Sequence, residues 1–469
     1  MRLFFFFIFC FFIFGFDAVA WTQSDTDGEP SGAISPRIAK ILVSGNRFTK
    51  TQVIIREMQM EVGDTVDAGV LQEDQKRIYN LGLFSRVEID SLQQPEGVHL
   101  LIGVSEYPLY PFYVRPFLIL HRNDNDWNKL SYGLGIAHLN FRGRNEKAVA
   151  SAWAGYDPGV ALDYSNPWLF GSTQLLTGFR FSIQRVRDLS FANIDSIVDQ
   201  KRLGGNWSLG RRFGLFTYLS VNVGYTELKF NPPIKEALEP LNHEHLPSAG
   251  LAFVYDKRDL FEYPRSGVFA KLWAQRTGFN SQQVHFWRYG ADLRGYKRIY
   301  RGLALGARVM TNLAQDEIPF YERVFLGYST RVRGHFNGNE NDQIQSRTIA
   351  SLGNKTNLFK DEGENLIFSS VELRFPILPV RYFSMNDMPG FGGYLQNLKF
   401  GLSAGIFLDY GRVWFQKPPP DRPRRVLPPQ LGYGAGLHIH LPYINLLRLE
   451  LAFDEEGRSE RIVDIGVAF

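Results

Sequence analysis

The sequence predicts an all-β transmembrane barrel of sixteen antiparallel strands, preceded by one small α+β domain. Three observations carry this prediction. After residue 20 no stretch approaches the roughly 20 apolar residues that a membrane-spanning helix needs, yet apolar side chains recur at every second position in one segment after another. Glycine is abundant at 44 residues and aromatics reach 14% of the 469-residue chain. The chain also opens with an export signal. Glycine and aromatic enrichment with two-residue alternation in an exported chain is the pattern of an outer-membrane barrel. A secreted soluble β-protein shares the composition, so the alternation has to decide.

Residues 1–20 read as a secretory signal peptide. Met1-Arg2 supplies the charge, Leu3 to Phe16 the apolar run, and Ala18-Val19-Ala20 the small-residue cleavage site. The only cysteine, Cys10, lies inside this leader. The mature chain is therefore expected to hold no disulfide and no thiolate metal site. A net charge of +4 without a basic tract gives no reason to expect a nucleic-acid partner. Residues 21–36 are polar with glycine and two prolines, and form a flexible linker.

Residues 37–107 form a small domain. Ile38 to Val43 is an apolar strand ended by the Gly45-Asn46 turn. Thr49 is placed to cap a helix over Gln52 to Met58, and Gly63-Asp64 breaks that helix. Asp67 is placed to cap a second helix running to Leu81, with Leu71, Ile78 and Leu81 on its buried face. Two further strands, Val87 to Ile89 and Val98 to Val104, flank a turn at Pro95-Glu96-Gly97.

Residues 108–469 are the barrel. Leu447, Leu449, Leu451 and Phe453 alternate with Arg448, Glu450 and Ala452; Val463, Ile465, Val467 and Phe469 alternate with Asp464, Gly466 and Ala468. Such a period places apolar side chains toward lipid and polar or tiny ones toward a lumen. Closure follows, because an open strand edge cannot be satisfied in hydrocarbon. Sixteen candidate strands begin near Phe117, Leu130, Ala148, Val160, Leu175, Arg202, Phe216, Ser248, Val268, Val284, Leu303, Leu366, Leu402, Leu431, Leu446 and Arg461. Between the eleventh and twelfth lies Phe325 to Phe336, polar and glycine-containing. It reads as a loop folded back into the barrel and anchored by Arg333; the residues alone also fit a surface loop with solvated arginines.

Several motifs in order resemble the outer-membrane assembly and transport superfamily of the BamA, TamA and Sam type, whose members carry periplasmic POTRA domains before a sixteen-stranded barrel. In the small domain these are Ile41 to Asn46, Glu61-Val62-Gly63-Asp64 and Leu81 to Val87. In the barrel they are Tyr164 to Gly171, Val254 to Asp259 followed by Pro264 to Gly267, Phe325 to Phe336, Val371 to Pro376, and Phe407 to Trp414. The resemblance implies that Arg333, followed by Gly334, meets the acids Asp409 and Glu372 on the inner wall. Alternation separately turns Asp409 inward, opposite Ile406, Leu408 and Tyr410. A guanidinium can engage a carboxylate by two parallel hydrogen bonds, and Gly327, Gly334 and Gly411 leave room for close backbone approach. At an effective dielectric near 20 one such pair at 4 Å is worth about 4 kcal/mol, enough to choose a loop position. Phe469 resembles the C-terminal aromatic that serves as an insertion signal. The sequence departs from the family where His335 follows Gly334, with Phe336 one place later, and in having a single POTRA-like domain.

The resemblance implies an outer-membrane location with the POTRA domain in the periplasm. It implies a function without cofactor, metal or enzymatic step: assisting insertion or translocation of outer-membrane proteins by β-augmentation. The expected partners are unfolded outer-membrane clients or one secreted passenger, the lipid bilayer, and periplasmic chaperones or accessory proteins. The alternatives are a dedicated secretion pore and a passive porin or receptor barrel. A hydrolase is disfavoured, since neither a Gly-x-Ser-x-Gly elbow nor a His-Glu-x-x-His motif is present. The pairs His438/His440 and His243/His245 read as structural rather than metal-binding.

Overall fold

Apolar alternation in the chain is realised as two sheets in the computed structural model, which describes residues 37–107, 113–122, 128, 130–171, 173–188, 198–231, 243–279, 284–335, 362–385, 397–417, 428–442, 445–466 and 469. The expected leader with Cys10, the linker 21–36, Phe336 and the proline-rich run from Pro418 lie outside the described residues.

The first sheet has three strands. β1 (Ile38–Ser44) runs parallel to β3 (Gly97–Glu106), which pairs antiparallel with β2 (Phe84–Gln94). Two helices, α1 (Thr51–Ile55) and α2 (Ala68–Asn80), cover it. Ile38, Val53, Ile54, Ile78, Phe84, Leu100 and Ile102 are buried as one core, which supplies the apolar burial that holds so small a unit together. Asp67 caps α2 as its position predicts, its carboxylate accepting from the N–H groups of Gly69 and Val70 at 2.7 and 3.1 Å. Of the predicted face, Ile78 is fully buried while Leu71 and Leu81 pack at the margin.

Thr49 does not cap α1. The cap position belongs to Lys50, without a side-chain bond, and α1 ends at Ile55 rather than Met58. The Thr49 hydroxyl is instead buried between domain and barrel, 3.2 Å from the Tyr113 hydroxyl and accepting from Asn140 Nδ2 at 2.9 Å. A long-range junction has taken the side chain that local sequence assigns to the helix.

The second sheet has sixteen antiparallel strands in chain order. They are β4 (Val114–Arg122), β5 (Leu130–Phe141), β6 (Glu146–Gly155), β7 (Gly159–Asn166), β8 (Leu175–Asp188), β9 (Val198–Phe213), β10 (Thr217–Asn231) and β11 (His243–Asp256). There follow β12 (Gly267–Thr277), β13 (Phe286–Tyr300) and β14 (Leu303–Gln315), then β17 (Asn365–Phe383), β18 (Leu398–Trp414), β19 (Gln430–Leu441), β20 (Asn445–Asp454) and β21 (Ser459–Ile465). Two short strands, β15 (Val324–Phe325) and β16 (Glu362–Gly363), pair with each other between β14 and β17. Leu134, Leu162, Ile183, Val223, Leu251, Ile406, Leu451 and Val463 are exposed on the outer face, which is the lipid-facing band.

Each of the fourteen interior strands has two ladder partners, whereas β4 and β21 each have one among the described residues. These two edges define the seam. The wall there is short: β21 has 7 residues against 19 in β17, and at about 3.4 Å per residue it spans about 24 Å, no more than the apolar band.

The small domain is held on one rim of the barrel. Lys50 N–H donates to the Gly143 carbonyl at 2.9 Å. Asn80 donates to the Asp259 carbonyl and accepts from Phe261 N–H, both at 3.0 Å. The Tyr113 hydroxyl donates to the Leu83 carbonyl at 2.9 Å, and Arg77 stacks 4.5 Å from the Phe216 ring.

Candidate functional site: the anchored loop inside the barrel

Strand parity decides what meets in the lumen. In the β17–β18 ladder Ser370 lies opposite Asp409 and Glu372 opposite Phe407. These positions share one face with Arg374, Ser403 and Gly411, and that face is buried. In β19 the matching inward positions are Gly432, Gly434 and Gly436, opposite Asp409, Phe407 and Gly405. A strip without side chains therefore runs beside the acids, and the loop lies on it.

Arg333 sits in this trough, 5% exposed. Its Nε donates to Asp409 Oδ2 at 2.7 Å and its Nη2 to Oδ1 at 2.8 Å, a two-pronged pairing. Nη1 donates to Glu372 Oε2 at 3.2 Å and to Glu450 Oε1 at 3.0 Å. The guanidinium also lies 3.4 Å from the centre of the Phe407 ring, a close cation–π contact. Buried charge is tolerated because it is shared: Arg374 donates to the other Glu372 oxygen at 2.7 Å, and Arg448 to Glu450 at 2.9 Å. Arg331 pairs with Glu460 of β21, and Gly334 N–H donates to the same carboxylate at 2.8 Å.

The glycines permit these distances. Gly334 has φ +103°, and a Cβ there would lie 2.6 Å from the Phe453 backbone. A Cβ at Gly411 would lie 2.6 Å from Val332, and one at Gly432 only 1.8 Å from the Arg333 carbonyl oxygen. Gly327 faces the ring of Phe325 rather than the wall. His335 takes up a contact of its own, its Nε2 lying 3.0 Å from the Leu431 carbonyl.

The structure thus brings Arg333, Gly334, Asp409, Glu372 and Gly411 together. Sequence reasoning missed Glu450, Ser370, Phe407 and Gly432. The signal for Glu450 and Gly432 was present, since both fall on the inward parity of their strands, but nothing local says which inward residue lies level with the loop. Phe469 departs from its expected face. Alternation groups it with the outward Val463 and Ile465, yet it is 2% exposed and lies against Arg374 and Tyr296. The strand β21 ends at Ile465, before Gly466 with its φ of +93°. The histidine pairs contact neighbouring side chains: His438 Nδ1 lies 3.0 Å from the Tyr263 hydroxyl, His440 Nε2 3.2 Å from Ser403, and His243 pairs with Glu227.

The polar atoms of the site are engaged with one another. The arrangement fixes a loop against a wall.

Known proteins share this architecture. Residues 140–463 match the family described as the Omp85 superfamily domain, and residues 36–107 match a POTRA family described as a surface antigen variable number repeat. The outer membrane protein assembly factor BamA of Nitratidesulfovibrio vulgaris strain Hildenborough is 23% identical over 317 residues, covering 64% of this chain and 37% of that protein. The chain therefore spans well under half the length of that curated relative. Among solved structures, BamA from Haemophilus ducreyi lacking POTRA domains 1–3 aligns at TM-score 0.50 and 16% identity, over 92% of this chain and 83% of that one. CdiB from Escherichia coli aligns at TM-score 0.55 and 11% identity, over 94% and 78%. With the matched domain spanning most of its length, the chain belongs to the Omp85 superfamily, as an outer-membrane barrel with one periplasmic POTRA domain.

Proposed function

We propose that this protein assists the insertion or translocation of outer-membrane proteins by strand addition at the seam between β4 and β21. The carrying observation is the state of β21. It has one ladder partner among the described residues, yet it is held from the lumen by arginines on Glu460, Asp464 and the Gly466 carbonyl. A strand supported from inside can leave its edge available for an incoming strand, and such pairing needs main-chain hydrogen bonds rather than a side-chain code. The clients are unfolded outer-membrane proteins. Arg333 and its acids position the loop that supports this wall.

A second reading, a secretion pore for one passenger, draws on the opposite side of the lumen. From β5 to β11 the inward register positions include Gly135, Ser151, Ser182, Asn206, Ser208, Asn222 and Ser248, with the charged Lys147, Asp163, Arg180 and Arg202 on the same face. Such a polar lining suits the passage of an extended polar chain.

One experiment separates the two. A disulfide is engineered across the seam, from β4 to β21, and assembly of outer-membrane proteins is followed in a depleted strain with and without reductant. Strand addition at the seam requires assembly to fail when locked and to recover on reduction. Full assembly with the seam locked would overturn that reading, and retained secretion of a passenger under the same lock would favour the pore.

A further inference from the structure

On the outer face, β8 to β11 change character at the rim far from the small domain. The small domain meets the barrel at Phe216, just before β10 begins, so the other end of β10 lies at the opposite, extracellular rim. Its outward positions are first Leu219, Val221, Val223 and Tyr225, which are 41%, 49%, 52% and 42% exposed. Glu227 and Lys229 follow on the same face. From Leu219 to Lys229 the strand covers about 34 Å, or about 26 Å of height at a tilt near 40°, which is the height of the apolar band. The charges begin where hydrocarbon ends.

The ladder lines up four basic residues at that margin. Arg185 of β8 lies opposite Lys201 of β9, Lys201 opposite Lys229 of β10, and Lys229 opposite His243 of β11. They share the outward parity of Ile183, Trp207, Tyr225 and Leu251. Like charges directly opposite one another destabilise a sheet, so strand pairing does not account for the row. Two carboxylates flank it: Asp199 pairs with Arg185, and Glu227 with Lys229 at 3.0 Å and with His243. Lys201, in the middle, is exposed and makes no ion pair among the described residues. Exposed ion pairs contribute little, so these cations are able to exchange a carboxylate for a stronger anion. Three ladder spacings make the row about 14 Å wide, broader than one phosphate group. Beside it the His243 and His245 rings lie 4.3 Å apart, and the Tyr225 hydroxyl is 2.6 Å from His245 Nδ1. Cations and a polar aromatic face side by side suit a headgroup that carries phosphates on sugars.

We propose that this row is a binding site for a phosphorylated glycolipid of the outer leaflet, with Arg185, Lys201 and Lys229 engaging its phosphates and His243, His245 and Tyr225 facing its sugars. Hydrogen bonds from charged donors to phosphate are roughly twice as strong as neutral ones. The acyl chains continue onto the apolar side chains below the row. None of these strands belongs to the seam or to the loop anchor, so the site stands apart from the proposed insertion activity.

The test uses the folded protein purified from outer membranes into mild detergent. It is titrated with lipid A carrying two phosphates, and separately with phosphatidylglycerol, and binding is followed by native mass spectrometry. Lys201→Gln combined with Lys229→Gln is expected to weaken lipid A binding at least about tenfold, with a much smaller change for phosphatidylglycerol. Arg211→Gln removes an exposed outward cation at the other end of β9 and is expected to leave lipid A binding unchanged. Excess inorganic phosphate is expected not to displace the lipid. Parent-level lipid A affinity in the double variant, with the heat-resistant folded band retained, would overturn the site. So would an equal loss for phosphatidylglycerol or for Arg211→Gln, either of which would mean general attraction between cations and anionic lipid, and so would displacement by phosphate alone. If the double variant lacks the folded band, Lys201→Gln alone decides, with an expected loss of about threefold.

Discussion

Arg333 shows how one side chain can draw several strands of a lumen wall together. It faces three carboxylates, of Asp409, Glu372 and Glu450, each within 3.2 Å. Deleting one partner of a buried pair is costly because the other charges stay behind, about 3–5 kcal/mol. Arg333→Ala should therefore lower the temperature at which the folded band converts to the unfolded one on a gel, and impair client assembly. Arg333→Lys should recover only part of this, since an ammonium cannot fork across Asp409. Gly432→Ala provides the steric counterpart. It leaves every charge in place but sets a Cβ 1.8 Å from the Arg333 carbonyl, so it should shift the same transition downward. An unchanged transition in that variant would mean the loop is not seated on β19.

At the scale of elements, the rim contact between α2 and the turn after β11 joins the domain to the barrel. Asn80 makes two hydrogen bonds to that turn's backbone, each worth about 1 kcal/mol net. Nearby, the Tyr79 hydroxyl donates to Glu262 at 3.3 Å and accepts from Lys399 at 3.3 Å; burial is the main cause that pushes the Tyr79 hydroxyl pKa up, so the phenol stays a donor. Asn80→Ala should loosen the domain. Spin labels on Asp90 and on the barrel rim should then give a broader distance distribution, whereas an unaltered distribution would show that the remaining contacts suffice. The same turn continues into Tyr263 and Pro264, which reach His438 and Arg374 in the lumen. A single connection thus touches the periplasmic domain on one side and the charge network on the other.

At the scale of the whole molecule, the barrel reverses the usual inside-out order: apolar residues face the bilayer and the interior is a polar, partly filled lumen. Leu134, exposed on the outer face of β5, tests this directly. Leu134→Arg should cost about 2–4 kcal/mol near the midplane, read as a lower unfolding midpoint in lipid. Ser208→Arg on the inward face of β9 should cost far less. Equal costs would contradict the assigned faces.

The sequence by itself determined the alternation, and with it the strand count, the outward face and the split into domain and barrel. Each of these depends on a period of two and on local turn residues, which adjacent positions encode. Asp409 could be turned inward on the same ground, and the family motifs placed Arg333, Gly334 and Glu372 beside it. Only the tertiary structure decided that Glu450, Ser370 and Phe407 complete the anchor, that Thr49 serves the junction instead of a helix cap, and that Phe469 is buried against Arg374. Parity says which way a side chain points, but the stagger between strands far apart in the chain decides which inward residues stand level. That stagger comes from closing the whole sheet, and no single strand carries it.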